Sequence, residues 1–258
     1  MKKPSGSTIS ILVLLAVVAG AVVWLFGSVI SANTSGPATL GSDQGPGTVV
    51  SPAMPIQDFT LTDQTGKPFT FSSTKGKPVL MAFIYTHCSD VCPFISIKML
   101  QTLNVLGTLA DKVELVAIDT DPERDTVPVL AAYSRDLHLY DKWHVLTGTP
   151  SKMAEIYKKL KITVIKAQEE DIEATTKAAS DLGIDLPKKD LAESPTAGLS
   201  QKQIALGGEI VKKYSGGYEV AHSAPFWVIG TDGKLHTTLD VGASPTDLAG
   251  AVKNQLAN

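Results

Sequence analysis

Hydrophobic positions fall into one long unbroken stretch near the start of the chain and a series of short runs after it. Ile9 to Ile30 is apolar over 22 residues apart from Ser10 and Ser28. As a helix it would measure ~33 Å, the thickness of a bilayer core. It follows a polar start, residues 1–8, that carries Lys2 and Lys3. A cleaved signal peptide usually has a shorter apolar region, of about 7–15 residues. Ile30-Ser31-Ala32 is a poor cleavage site, so residues 9–30 are expected to be one uncleaved transmembrane helix. The lysines precede the span and none follows closely, which keeps residues 1–8 in the cytoplasm and sends the rest of the chain out. The start has no Arg-rich amphipathic character, and no cysteine lies near it to carry a lipid. Residues 31–55 are rich in Gly, Ser, Pro and Thr and are expected to form a flexible tether.

Beyond residue 56 the runs shorten and alternate between two periods. Phe59, Leu61, Phe69 and Phe71 flank Asp63-Gln64-Thr65-Gly66, the pattern of a β-hairpin. PVLMAFIY at 78–85 and VELVAI at 113–118 are continuous apolar runs, as buried strands require. Ile95, Met99, Leu103 and Leu106 recur at helical spacing. Helices are also expected at 127–137, 151–160 and 245–256, and strands at 144–146 and 162–165. The strands 226–229 and 235–239 enclose the turn Thr231-Asp232-Gly233. This order indicates an α/β sandwich with a mixed sheet. Residues 166–217 break the rhythm and read as an insertion, with a helix near 169–179 and a strand near 209–214.

Length and charge narrow the class. The 258 residues suffice for one domain with an anchor and a tether. Net charge is −3, and the two lysines ahead of the apolar span account for +2, so the remainder carries −5. A mildly acidic domain is a poor candidate for nucleic acid.

The chemistry gathers at Cys88 and Cys92, the only two cysteines, in Thr86-His87-Cys88-Ser89-Asp90-Val91-Cys92-Pro93. They sit where a buried strand gives way to a helix, with Pro93 suited to the first helical position. A helix N-terminus favours thiolate, the form that binds metals and attacks disulfides. Soft thiolates select Cu(I), zinc or iron–sulfur clusters. A plain structural disulfide is the alternative, although so small a loop stabilises a fold little. Two cysteines do not close a metal site, so a third ligand must come from elsewhere. Alternation at a strand end turns His87 away from Cys88. His138 and His144 read as surface or packing residues, His236 as part of a polar strand face. His222 lies in the loop entering the strand at Phe226. The run 119–126, DTDPERDT, ends a central strand at the same sheet edge, and reads as a turn with Asp125 or Thr126 capping the next helix.

FIYTHCSDVCP, DTDPERDT, LTGTP at 146–150 and YEVAHSAPFWVIGTDGKL at 218–235 together resemble the Sco/SenC family. These are membrane-tethered, thioredoxin-fold copper proteins linked to cytochrome c oxidase assembly. The resemblance implies a thioredoxin-like three-layer α/β sandwich with an N-terminal β-hairpin over 56–258. It implies Cys88, Cys92 and His222 as ligands of copper, Cu(I) or Cu(II). It further implies a metallochaperone for the binuclear copper centre of cytochrome c oxidase subunit II, anchored in a bacterial cytoplasmic membrane with its domain outside. The family often has Asp before that His and Pro after the first Cys; here the residues are Ala221 and Ser89. A rival reading is a membrane-anchored thiol–disulfide reductase using Cys88 and Cys92 as catalytic residues. APFWVIGTDGKL resembles the cis-proline segment of such enzymes, with Pro225 in that place. Nothing supports a peroxide site.

The anchor carries the first prediction. Protein purified from membranes should retain an intact N-terminus, with residues beyond 31 cleaved by protease added to the non-cytoplasmic side. A chain starting near Ala32 or Asn33 would overturn it.

Overall fold

The structure, a computed structural model, describes residues 47–167 and 195–257. The expected transmembrane helix and the expected helix at 169–179 lie outside the described residues. Within them, no helix is long and apolar enough to cross a membrane.

Among the described residues, ten strands and five α-helices follow one another. They are β1 Thr48–Pro55, β2 Thr60–Thr62, β3 Pro68–Thr70, β4 Val79–Ile84, α1 Cys92–Leu106, β5 Glu114–Asp119, α2 Val127–Asp136, β6 His144–Leu146 and α3 Pro150–Leu160. After these come β7 Val164–Ala167, α4 Gln201–Tyr214, β8 Glu219–His222, β9 Phe226–Ile229, β10 Lys234–Leu239 and α5 Pro245–Leu256. Six strands form one mixed sheet in the order β1-β10-β9-β4-β5-β6. β4, β5 and β6 run parallel, while β9 runs antiparallel to β4 and pairs with β10 as a hairpin. The β2–β3 hairpin forms as its Asp63–Gly66 turn requires.

β4 shows why the sheet is sandwiched. All six of its residues are buried. Leu80, Ala82 and Ile84 join a core with Ile95 and Met99 of α1, Leu130 of α2 and Val252 of α5. Val79, Met81 and Phe83 join a second core with Phe59 and Phe69 of the hairpin region and Met153 and Ile156 of α3. The alternation of one strand thus feeds both faces, and the result is the three-layer, thioredoxin-like arrangement.

Three expectations need correction. The last eight residues of the expected tether are β1, which pairs with β10 at Thr48↔Thr238 and Pro55↔Lys234. It is an edge strand with a register shift around Pro52, held by backbone bonds that its Gly/Ser/Pro-rich composition does not announce. The strand expected near 209–214 is helix α4. A Ser200/Gln203 capping box starts it, and Gly207 lets it lie against Phe94: a Cβ there would stand 2.4 Å from the ring. Paired glycines inside a helix weaken its sequence signal, and close packing replaces what propensity lacks. Finally, the strand expected at 162–165 forms two residues later as β7, outside the main sheet. It pairs with β8, Val164 opposite His222, as a separate two-stranded arm.

Lys98 is an oddity of the core. Its side chain is fully buried in α1, with Nζ donating to the Val241 carbonyl at 2.7 Å. Burial pushes its ammonium down to about 8, against the pull of Asp240 and Asp247. The folded protein therefore gives up this proton before the unfolded chain does. Unfolding takes up a proton between about pH 8 and the ordinary 10.5, and stability rises with pH across that window. Urea unfolding of the native protein, compared with Lys98→Met, should show a relative gain of about 1–3 kcal/mol between pH 7.5 and 10. Parallel pH profiles would contradict it.

Candidate metal centre

Both cysteines are free thiols, and both are buried. Cys88 lies in the loop after β4, and Cys92 is the first residue of α1. Val91 is the N-cap and Pro93 follows within the first turn, so the helix starts as its proline dictates. The Cys92 amide donates to Cys88 Sγ at 3.5 Å.

The two thiols differ. A hydrogen bond from Cys92 holds the Cys88 thiol below its ordinary value, in spite of burial. Burial pushes the Cys92 thiol up, with the neighbouring Cys88 adding to the rise. Position at a helix start alone would favour thiolate at Cys92; full desolvation outweighs it.

His222 ends β8 rather than standing in a loop, and the arm brings its Nε2 to 3.7 Å from Cys92 Sγ. Its Nδ1 lies 2.9 Å from the Ser223 carbonyl, which can only accept, so Nδ1 carries the proton. Burial lowers the imidazole's affinity for a second proton. Nε2 is therefore a lone pair directed toward the sulfur, the form a metal ligand needs. A single ion ~2.3 Å from sulfur and ~2.0 Å from nitrogen, at ~120°, would span ~3.7 Å, so this pair fits one first-row metal. No three His, Cys, Asp or Glu side chains among the described residues are already gathered as a metal site, so closing a three-ligand set requires some movement.

The other histidines stay away. His87 stands 2.9 Å from Thr86 Oγ1 and 3.4 Å from Asp125. His144 packs on the Phe69 ring, His236 bonds to Asp232, and His138 is exposed. A cavity of about 770 Å³ beside Gln64 and Trp143 contains neither cysteine nor His222.

What sequence reasoning missed is the layer behind the two thiols and His222. Asp119, Asp121 and Asp125 are all fully buried. Asp125 is not a helix cap, and Thr126, at the N-cap position, makes no side-chain capping bond. Instead, Asp125 accepts from the Thr86 amide at 2.7 Å and the Thr86 hydroxyl at 2.5 Å, pinning the start of the cysteine loop. Burial, then the charge of Asp125, pushes the Asp119 carboxyl up. Asp121 pairs with Arg124 Nε and accepts from Tyr218 Oη at 2.5 Å. Arg124 lies over the Tyr218 ring at 3.8 Å and donates to the Gly216 carbonyl. Tyr85, the last residue of the apolar run, donates to Glu219 at 2.6 Å. An acidic run directly after a buried strand was the one signal available for this layer. The Ala224–Pro225 peptide is trans, so the cis-proline feature of the rival reading is not present.

The family model described as SCO1/SenC matches residues 51–182. A mouse protein named SCO2 homolog, mitochondrial, is 37% identical over 99 residues, which are 38% of this chain and 38% of that protein. The chain matches between 34% and 62% of the length of the curated relatives. Among solved structures, Bradyrhizobium japonicum ScoI with copper bound is 27% identical with a TM-score of 0.54, covering 79% of this chain and 99% of that one. The fold is also that of BsSco, described as having a disulfide switch and as a member of the Sco family of cytochrome c oxidase assembly proteins (21% identity, TM-score 0.51, covering 83% and 97%).

The Thr86–Asp125 pair generates a stability prediction. Thr86→Val leaves a buried carboxylate oxygen without its donor, and Asp125→Asn sets an amide against a donor. Each should cost about 1–3 kcal/mol in urea unfolding. The double variant should cost less than the two together, because they break the same bond. Full additivity would show that the pair does not interact.

Proposed function

This chain belongs to the SCO1/SenC family, and on that footing we propose that it is a copper carrier binding through Cys88, Cys92 and His222. The observation that supports this most is the directed lone pair of His222 Nε2, 3.7 Å from Cys92 Sγ and beside a second free thiol. Two thiolates and one imidazole suit Cu(I), and Bradyrhizobium japonicum ScoI, a structural relative, was solved with copper bound. The ion is cargo, and the chain's residues divide its handling. Cys88, the easier thiol to ionise, offers the first sulfur; Cys92 must give up a proton on binding; His222 arrives already neutral. A three-ligand site leaves room for an acceptor's thiolate to add before the donor ligands leave.

The acceptor we propose is the binuclear copper centre of cytochrome c oxidase subunit II. Cytochrome c oxidase assembly is the process named for the structural relative BsSco. The anchor at residues 9–30 would hold the carrier on the extracytoplasmic face of a bacterial cytoplasmic membrane, where that centre is built.

One observation favours a second reading. Cys88 lowered and Cys92 raised is the asymmetry of an attacking and a resolving thiol, as a thiol–disulfide reductase acting on partner cysteines would use. His222 separates the two readings, because exchange does not need it. His222→Ala should weaken Cu(I) affinity, measured against a competing chelator, by at least the ~10–100-fold that changes behind a metal ligand already cost. The same variant should reduce a disulfide substrate at close to the native rate. Unchanged copper affinity would remove His222 from the site and leave the reductase reading standing.

A further inference from the structure

The arm that carries His222 is not part of the main sheet. β8 has one strand partner, β7, and the residue after it adds one bond, Ser223 N to the Thr163 carbonyl at 3.3 Å. Its ligand must nonetheless meet sulfur atoms carried by a different loop. Besides the Cys92 Sγ–His222 Nε2 contact itself, three hydrogen bonds cross that gap, and Glu219 takes part in two of them. Tyr85 Oη, at the end of β4, donates to Glu219 Oε2 at 2.6 Å. Ser89 Oγ, inside the Cys88–Cys92 loop, donates to Glu219 Oε1 at 3.0 Å. The Val220 amide donates back to Tyr85 Oη at 3.2 Å, and the Tyr85 ring stands edge-on to the His222 imidazole with centroids 5.7 Å apart.

We propose that Glu219 is a positioning residue: its carboxylate bridges Tyr85 and Ser89 and thereby latches the His222 arm onto the cysteine loop. Both oxygens of one side chain are used, one on the rigid strand and one on the loop. The arm is fixed relative to each thiol-bearing segment and not merely to the core. Ser89 is part of the device. Its hydroxyl is the donor on the cysteine loop. Tyr85 Oη donates once and accepts once, so it closes a ring of bonds through Glu219, the β8 backbone and itself.

Releasing the latch lets β8 swing on β7. A ligand held only part of the time lowers apparent affinity by the fraction of time it is in place. The metal part of the test rests on the copper reading above; the metal-free part does not.

Two measurements decide it, both on the full chain in detergent. In the metal-free protein, Glu219→Ala should speed amide hydrogen exchange at Val220 by about tenfold, with β4 unchanged. Tyr85→Phe, which breaks the same ring from its other side, should do likewise. Cu(I) titration against a chelator should show about tenfold weaker binding for Glu219→Ala, and recovery of most of that loss in Glu219→Gln, which keeps an acceptor and gains a donor. In a His222→Ala background, Glu219→Ala should change copper affinity by less than about twofold, because a residue that acts through His222 has nothing left to position. Independent, multiplying losses would overturn the proposal, as would native-like binding by Glu219→Ala beside an intact His222. Should His222→Ala itself leave affinity unchanged, the copper reading falls and exchange at Val220 decides the latch alone: acceleration supports it and an unchanged rate overturns it.

Discussion

Asp125 is a carboxylate with no exposed surface, and both its oxygens accept hydrogen bonds from one residue, Thr86. A charge removed from water must find such partners or be lost. Here the partner is the residue that leads into His87 and Cys88, so satisfying the charge fixes where the thiol loop begins. The loop's other end is fixed by helix packing, with Cys92, Ile95 and Met99 all buried against β4. Two anchors of different kinds, Thr86 polar and Cys92 apolar, therefore bracket the five residues 87–91 and place both sulfurs. Asp119 stands beside Asp125, and its raised carboxyl avoids putting two like charges into one dry site.

The same acidic run reaches the arm of His222 by another route. Asp121 is as buried as Asp125, and it holds Arg124 and the Tyr218 hydroxyl. Tyr218 opens the segment that leads four residues on to His222. One turn after β5 thus sends a carboxylate to the thiol loop and another to the arm. The arm's hold is the weaker of the two. Val220 is its one deeply buried residue, with Glu219 and His222 half-buried and Ala221 exposed. An element with so little apolar contact opens more readily than the sheet it leans on.

Where packing alone decides, the sequence was readable. PVLMAFIY had to be a two-faced buried strand, and β4 is one. Asp-Gly between apolar runs had to turn, and β9–β10 is a hairpin. The thiols were legible because strand, cysteine pair and proline occur in one contiguous stretch. His222 was legible through the resemblance and not by its own surroundings. β1 was hidden because backbone pairing, not side-chain pattern, makes it a strand. α4 was hidden because Gly207 and Gly208 dilute a helical signal whose real support is the Phe94 ring. The carboxylate layer was hidden for a further reason: DTDPERDT has the composition of a solvated turn. Nothing local tells a buried aspartate from a wet one when its donors, Thr86 and Tyr218, lie 39 and 97 residues away.

This division between a firm loop and a soft arm bears on what a carrier has to do. A site with all three ligands locked in place would bind a soft ion well and release it slowly. A site with all three mobile would lose the ordering free energy of each on binding. In the proposed site the two sulfurs are held by Asp125 and by α1, while the nitrogen rides on a two-stranded arm tied to the cysteine loop through one carboxylate between two hydroxyls and to the turn after β5 through Tyr218 and Lys166. The nitrogen is also the weakest partner for a soft ion, so it is the ligand an incoming thiolate displaces at least cost. The unequal thiols continue this order: Cys92 is the sulfur that regains a proton most readily once the ion begins to leave, because burial disfavours its charge. Release would then run from the arm inward, His222 first, Cys92 next and Cys88 last, with the fold itself unchanged throughout.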